Sequence, residues 1–110
     1  MRKIVVDELN RAELGKISAY LADTCQPGGV EGIHWLELPG DLSGEAQLGH
    51  GDCAPFFFAV ELTEDGVSFE LLVRSRRIIR CDCVSYATPR QREYLLHFVD
   101  TMLAQLQLRP

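Results

Sequence analysis

The sequence predicts an α+β domain: an antiparallel sheet of four to five strands with two helices packed mainly on one face, in the order (β)-α-β-β-β-β-α. Three observations carry this. Apolar and polar residues alternate with a period of two through residues 56–87, the pattern of strands that bury one face. Two capping boxes, Asn10-Arg11-Ala12-Glu13 and Thr88-Pro89-Arg90-Gln91, each open a stretch of helical periodicity. Turn-forming residues punctuate the intervals. With 110 residues, 46% of them hydrophobic and 25% charged, the chain can bury one core and not two, so residues 1–110 read as a single domain.

Residues 3–6 are β-branched and short, which suits an edge strand. In the first capping box the Asn10 side chain accepts from the Glu13 amide, and Leu9 and Leu14 stand at the spacing of a hydrophobic staple. Leu14, Ile17, Tyr20 and Leu21 then form one apolar stripe, giving a helix over residues 11–23 that the Gln-Pro-Gly-Gly stretch at 26–29 ends. Residues 33–38 form a strand with Ile33 and Trp35 on one side and His34, Leu36 and Leu38 on the other. Residues 39–55, with five glycines or prolines before Pro55, form a long loop with one helical turn at 44–48. Loops of that length carry function more often than shorter ones.

The three central strands are read as a meander. A tight turn at Asp65-Gly66 sets Leu62 opposite Phe69 and Val60 opposite Leu71, and places Glu61 across from Glu70. Phe56, Phe58, Val60, Leu62, Val67, Phe69, Leu71 and Val73 then share the core face. A second turn of three residues at 76–78 leads to a strand that turns Ile79, Cys81, Cys83, Ser85 and Ala87 inward. After the second capping box, Leu95, Phe98, Val99, Met102, Leu103 and Leu106 recur at helical spacing, giving a helix over residues 89–106.

Function is written less plainly. The net charge of -5 disfavours nonspecific binding to nucleic acid. No apolar run approaches the roughly 20 residues of a membrane span, and the N-terminus does not read as a signal peptide. The expectation is a cytoplasmic protein with reduced cysteines, in which a Cys25–Cys53 disulfide would not persist.

His50, Cys53, Cys81 and Cys83 offer the thiolate and imidazole ligands of a tetrahedral zinc site. The spacing weighs against it, because two thiols one residue apart on a flat strand do not form the turn that metal knuckles use. Cys81 and Cys83 then read as small core residues beneath the last helix. Arg74, Arg76, Arg77 and Arg80 crowd one hairpin end and could hold an anion or an acidic partner, although a solvated turn that protects the sheet edge is the better account of them. Phe57, Leu72, Val84 and Tyr86 make the outer sheet face too apolar for free solvation, which points to self-association, as a homodimer or with another protein partner. No set of histidine, acid and nucleophile forms a catalytic constellation. The sequence therefore predicts a non-enzymatic binding or regulatory module that self-associates and needs no cofactor. The alternative is a metal- or thiol-dependent protein built on His50, Cys53, Cys81 and Cys83.

Overall fold

The computed structural model of the chain describes residues 1–109. Six strands and two helices follow in the order β1 (Lys3–Val6), α1 (Arg11–Thr24), β2 (Gln26–Pro27), β3 (Ile33–Glu37), β4 (Phe56–Leu62), β5 (Val67–Ser75), β6 (Ser85–Tyr86) and α2 (Pro89–Gln105). The strands form one antiparallel sheet in the order β1-β5-β4-β3-β2. β6 pairs with β5 through Leu72 and Val73, on the edge whose other half β1 occupies from Val67 to Glu70. Two segments from opposite ends of the chain thus share one side of β5.

Both helices begin where the capping boxes place them. Asn10 Oδ1 accepts from the Glu13 amide at 2.8 Å and Glu13 Oε1 from the Asn10 amide at 2.9 Å. Thr88 and Gln91 exchange the equivalent bonds at 3.2 and 2.9 Å. α1 buries Ile17 and Leu21, and α2 buries Leu95, Val99 and Met102. Phe98 of α2 stands edge-to-face with Tyr20 of α1 and with Phe69 of β5, at 5.8 and 6.1 Å between centroids. Both helices therefore cover the same sheet face, and Phe58, Val60, Phe69 and Val73 lie fully buried beneath them. Each such side chain contributes about 1.5–3 kcal/mol relative to exposure.

Next to the turn the register of β4 on β5 differs from the expected one by two residues, and past an irregularity between Phe58 and Val60 it returns to the expected one, with Phe58 facing Val73. Val60 faces Phe69 and Leu62 faces Val67, because the turn spans four residues, with the Thr63 amide bonded to the Gly66 carbonyl at 2.8 Å. A shift of two preserves the alternation of faces, so the core set survives. Glu61 consequently faces Ser68 rather than Glu70, and Glu70 instead pairs with Arg74 at 3.0 Å.

The third strand of the meander is largely absent. Only Ser85 and Tyr86 pair with β5, and residues 76–84 form a loop of bends and turns. Ile79, expected inward, is 80% exposed. The alternation of residues 78–87 imitates a strand, but Ser75 captures the chain as it leaves β5. Its hydroxyl accepts from the amides of Arg77 and Ile78, both at 3.1 Å. β2, in contrast, was not expected from the sequence; Gln26 and Pro27 pair with Trp35 and His34, and proline is tolerated because β2 is the outermost strand. Among the described residues no helix is long and apolar enough to cross a membrane.

Candidate metal centre

The long loop over residues 39–55 is wound into three single 3-10 turns, at Gly40–Leu42, Glu45–Gln47 and Gly51–Cys53. Gly49, with φ of +78°, reverses the chain just before His50, in a backbone region that side chains resist. His50 and Cys53 then bracket the last 3-10 turn, with the Cys53 amide bonded to the His50 carbonyl at 2.9 Å. A second turn holds the other two thiols, where the Val84 amide bonds to the Cys81 carbonyl at 3.1 Å.

These two turns meet. One ligand atom from each of His50, Cys53, Cys81 and Cys83 lies within 4.8 Å of all the others. Cys81 Sγ stands 3.2 Å from His50 Nδ1 and 3.6 Å from Cys53 Sγ. Zinc bonds of about 2.3 Å to sulfur and 2.0–2.1 Å to nitrogen would set tetrahedral edges of about 3.8 Å between sulfurs and about 3.6 Å from sulfur to nitrogen. The donor set is thus close to the size of a zinc coordination sphere. The objection from spacing falls with the strand: Cys81 and Cys83 lie on a turn, where both thiols can converge on one point.

The thiols are electrostatically unequal. Cys81 is held down to about 7, chiefly by a hydrogen bond from the Cys83 backbone, helped by the neighbouring thiols and His50 against an opposing effect of burial. Cys83, fully buried, is pushed up to about 12 by that burial and by its two thiol neighbours. Burial also raises Cys53. The cluster stores protons that a metal ion would displace.

A layer of hydrogen bonds fixes both turns. Ser75 Oγ donates to the Cys53 carbonyl at 2.6 Å, joining the end of β5 to the His50–Cys53 turn. Gln47 Nε2 donates to the Cys83 carbonyl at 2.7 Å, while Gln47 Oε1 accepts from the Gly44 amide at 2.9 Å and from Gln91 Nε2 at 3.1 Å. Gln91 Nε2 also donates to the Leu42 carbonyl at 2.9 Å. Both glutamines are buried, so the capping residue of α2 serves the site as well. Gly44 permits this packing, since a Cβ there would come within 3.1–3.3 Å of Thr88, Gln91 and Gln47. Sequence reasoning missed Ser75 and Gln47 and saw Gln91 only as a cap; buried partners of this kind leave no spacing signature.

The other candidate residues are dispersed. Arg74 is paired with Glu70. Arg76 lies over the rings of Trp35 and Phe57, at 5.1 and 5.6 Å from their centroids, while Arg77 and Arg80 are exposed. Of the proposed self-association residues, Phe57 is already buried by its own chain, with Trp35 edge-to-face at 6.4 Å. Leu72, Val84 and Tyr86 are half-buried, and Arg2 stacks on Tyr86 at 3.8 Å. Part of the apolar outer face is thus covered within the monomer. Cys25 stands apart from the other thiols, half-buried beside Thr24. Comparison of the chain with protein-family models, curated proteins and solved structures returns no match.

Proposed function

We propose that the chain is a small zinc-binding module, with His50, Cys53, Cys81 and Cys83 holding one ion in a structural rather than catalytic site. The observation that carries this is the convergence of one nitrogen and three sulfur donors within 4.8 Å, contributed by two loops 28 residues or more apart in sequence. Thiolate and imidazole donors in a tetrahedral set favour zinc over magnesium or calcium, which take oxygen ligands. Four protein ligands leave no open position for water or substrate, which separates structural from catalytic zinc sites.

The ion's role is to join the 39–55 loop to the 76–84 loop. Neither loop has a ladder of backbone bonds, and a closed site adds a second cross-link to the Gln47–Cys83 hydrogen bond between them. The sheet and helices carry their own apolar core, so the module needs metal for the shape of this end and not for its fold. Elemental analysis of the purified full-length chain should find one zinc per molecule, with Cys83→Ser and His50→Ala each reducing occupancy. A chain that purifies free of metal, and whose two loops resist hydrogen exchange equally with and without added zinc, would refute the reading.

A further inference from the structure

The two edges of the sheet are guarded unequally. β2 is two residues long and contains Pro27, which has no amide to offer a further strand. β1 is outermost on the other side, and its backbone phase is fixed. The Leu71 amide bonds to the Arg2 carbonyl at 3.0 Å, so along the antiparallel ladder Arg2, Ile4 and Val6 address β5, while Lys3, Val5 and, just beyond the strand, Asp7 turn their amides and carbonyls outward. All three outward residues are exposed, Val5 by 51%. An open, β-branched edge of this kind is a template for another strand.

The flanking charges select the partner. The segment reads Arg2-Lys3-Ile4-Val5-Val6-Asp7-Glu8, two bases, three apolar residues and two acids, so it is complementary to its own reverse. None of its four charged side chains has an ion-pair partner among the described residues, and Glu70, opposite Lys3 on β5, is held by Arg74 at 3.0 Å. A lysine on an edge ordinarily repels a second strand; an antiparallel copy of this segment brings Asp7 to it instead. We propose that β1 pairs with β1 of a second copy of the chain, antiparallel about a two-fold axis at Val5, so that the two sheets run on as one. That register sets Val5 against Val5, Ile4 against Val6 and, twice, Lys3 against Asp7. It also matches the backbone phase, because the residues it joins by hydrogen bonds are the three whose amides and carbonyls face outward. Glu8, with φ of +57°, leaves the extended conformation and ends the ladder. Two strands this short bury less than the roughly 1,200 Å² of a stable interface, so the dimer is weak and depends on concentration. The inference goes beyond the zinc reading and does not require it.

Sedimentation equilibrium of the full chain from about 1 μM to about 1 mM should show a reversible dimer with a dissociation constant of about 100 μM or tighter. Across the same range hydrogen exchange should slow at the Val5 amide. Asp7→Lys sets lysine against lysine at both ends of the pairing and Lys3→Glu sets acid against acid, and because the two-fold axis counts each change twice, either should weaken the dimer about ten-fold or more. Both positions are exposed, so neither change threatens the fold. An equimolar mixture of the two variants should dimerise to within about three-fold of the original chain, since every opposed pair in the mixed dimer again carries opposite charges. A chain that stays monomeric to about 1 mM, a dimer indifferent to Asp7→Lys, a mixture that associates no better than either variant alone, or protection that appears with concentration elsewhere but not at Val5 would overturn the proposal.

Discussion

Gln47 donates to the carbonyl of Cys83 at 2.7 Å across 36 residues of sequence, and both side chains are buried. The bond ties the first loop to the second without any metal. Replacing Gln47 with leucine would strand the Cys83 carbonyl, the Gly44 amide and one donor of Gln91. An unsatisfied buried group costs about 1–3 kcal/mol, so Gln47→Leu should lower stability by at least that amount in chemical denaturation. Loss of a partner that orients a ligand typically weakens metal binding by about 10–100-fold, and competition with a chromophoric chelator should show a loss in that range.

The two capping threonine and asparagine residues offer a matched comparison. Thr88→Ala and Asn10→Ala each remove one N-cap acceptor, worth about 0.5–2 kcal/mol. Both should lower the midpoint of thermal unfolding comparably. Only Thr88→Ala should also weaken zinc binding, because Gln91 reaches from that cap to Gln47. Equal effects on the metal would show that the glutamine pair does not transmit position.

Chelation should act locally. Phe58, Val60, Phe69, Val73, Leu95 and Met102 are fully buried on the strands and helices themselves, and at about 1.5–3 kcal/mol each they hold the sheet on its helices. Hydrogen exchange after zinc removal should therefore accelerate in residues 39–55 and 76–84, with β3 to β5 and α2 still protected. Global loss of protection would mean that the ion supports the whole domain.

The thiol ionisations set two pH dependences. At pH 7 the metal-free cluster keeps Cys53 and Cys83 protonated and Cys81 about half so, since Cys53 is raised, Cys83 lies at about 12 and Cys81 at about 7. Zinc binding should release about two to three protons, and affinity should rise with pH; calorimetry in buffers of different ionisation enthalpy measures the number. For the metal-free protein the two most strongly shifted thiols, Cys81 and Cys83, act in opposite windows. Cys81, lowered from the ordinary 9.0, contributes stability that is complete above 9.0 and lost as pH falls toward 7. Cys83, raised from 9.0, loses its contribution as pH climbs from 9.0 toward 12. The thiol contribution to metal-free stability should thus peak near pH 9, testable by denaturation of the chelated protein across that range.

Much of the fold was legible because its signals are local. The Asn10 and Thr88 boxes fix both helix starts to the residue. The inward set of β4 and β5 survived a register error because the error was even. The site was half legible: its four donor residues were in view, and their geometry was misjudged because Ile79, Cys81, Cys83 and Ser85 alternate with Arg80, Asp82 and Val84 as in a strand. What broke the strand was one hydroxyl, Ser75, accepting from two successive amides. Nothing about a serine in an alternating run announces that. Trp35 and Arg76 went unpaired in the sequence reading for a related reason: β2 and the 76–84 loop, which bring Gln26 and Arg76 together, have no periodicity to find.

β5 has one flank shared by two tenants, β1 and β6, whose paired residues lie about 80 positions apart in the chain. During synthesis the first tenant is ready before β5 exists, whereas the second emerges only after the 76–84 loop has left the ribosome. The stretch around Leu72 and Val73 would then remain an open rail, able to recruit a stranger's backbone, until Ser85 and Tyr86 arrive to close it.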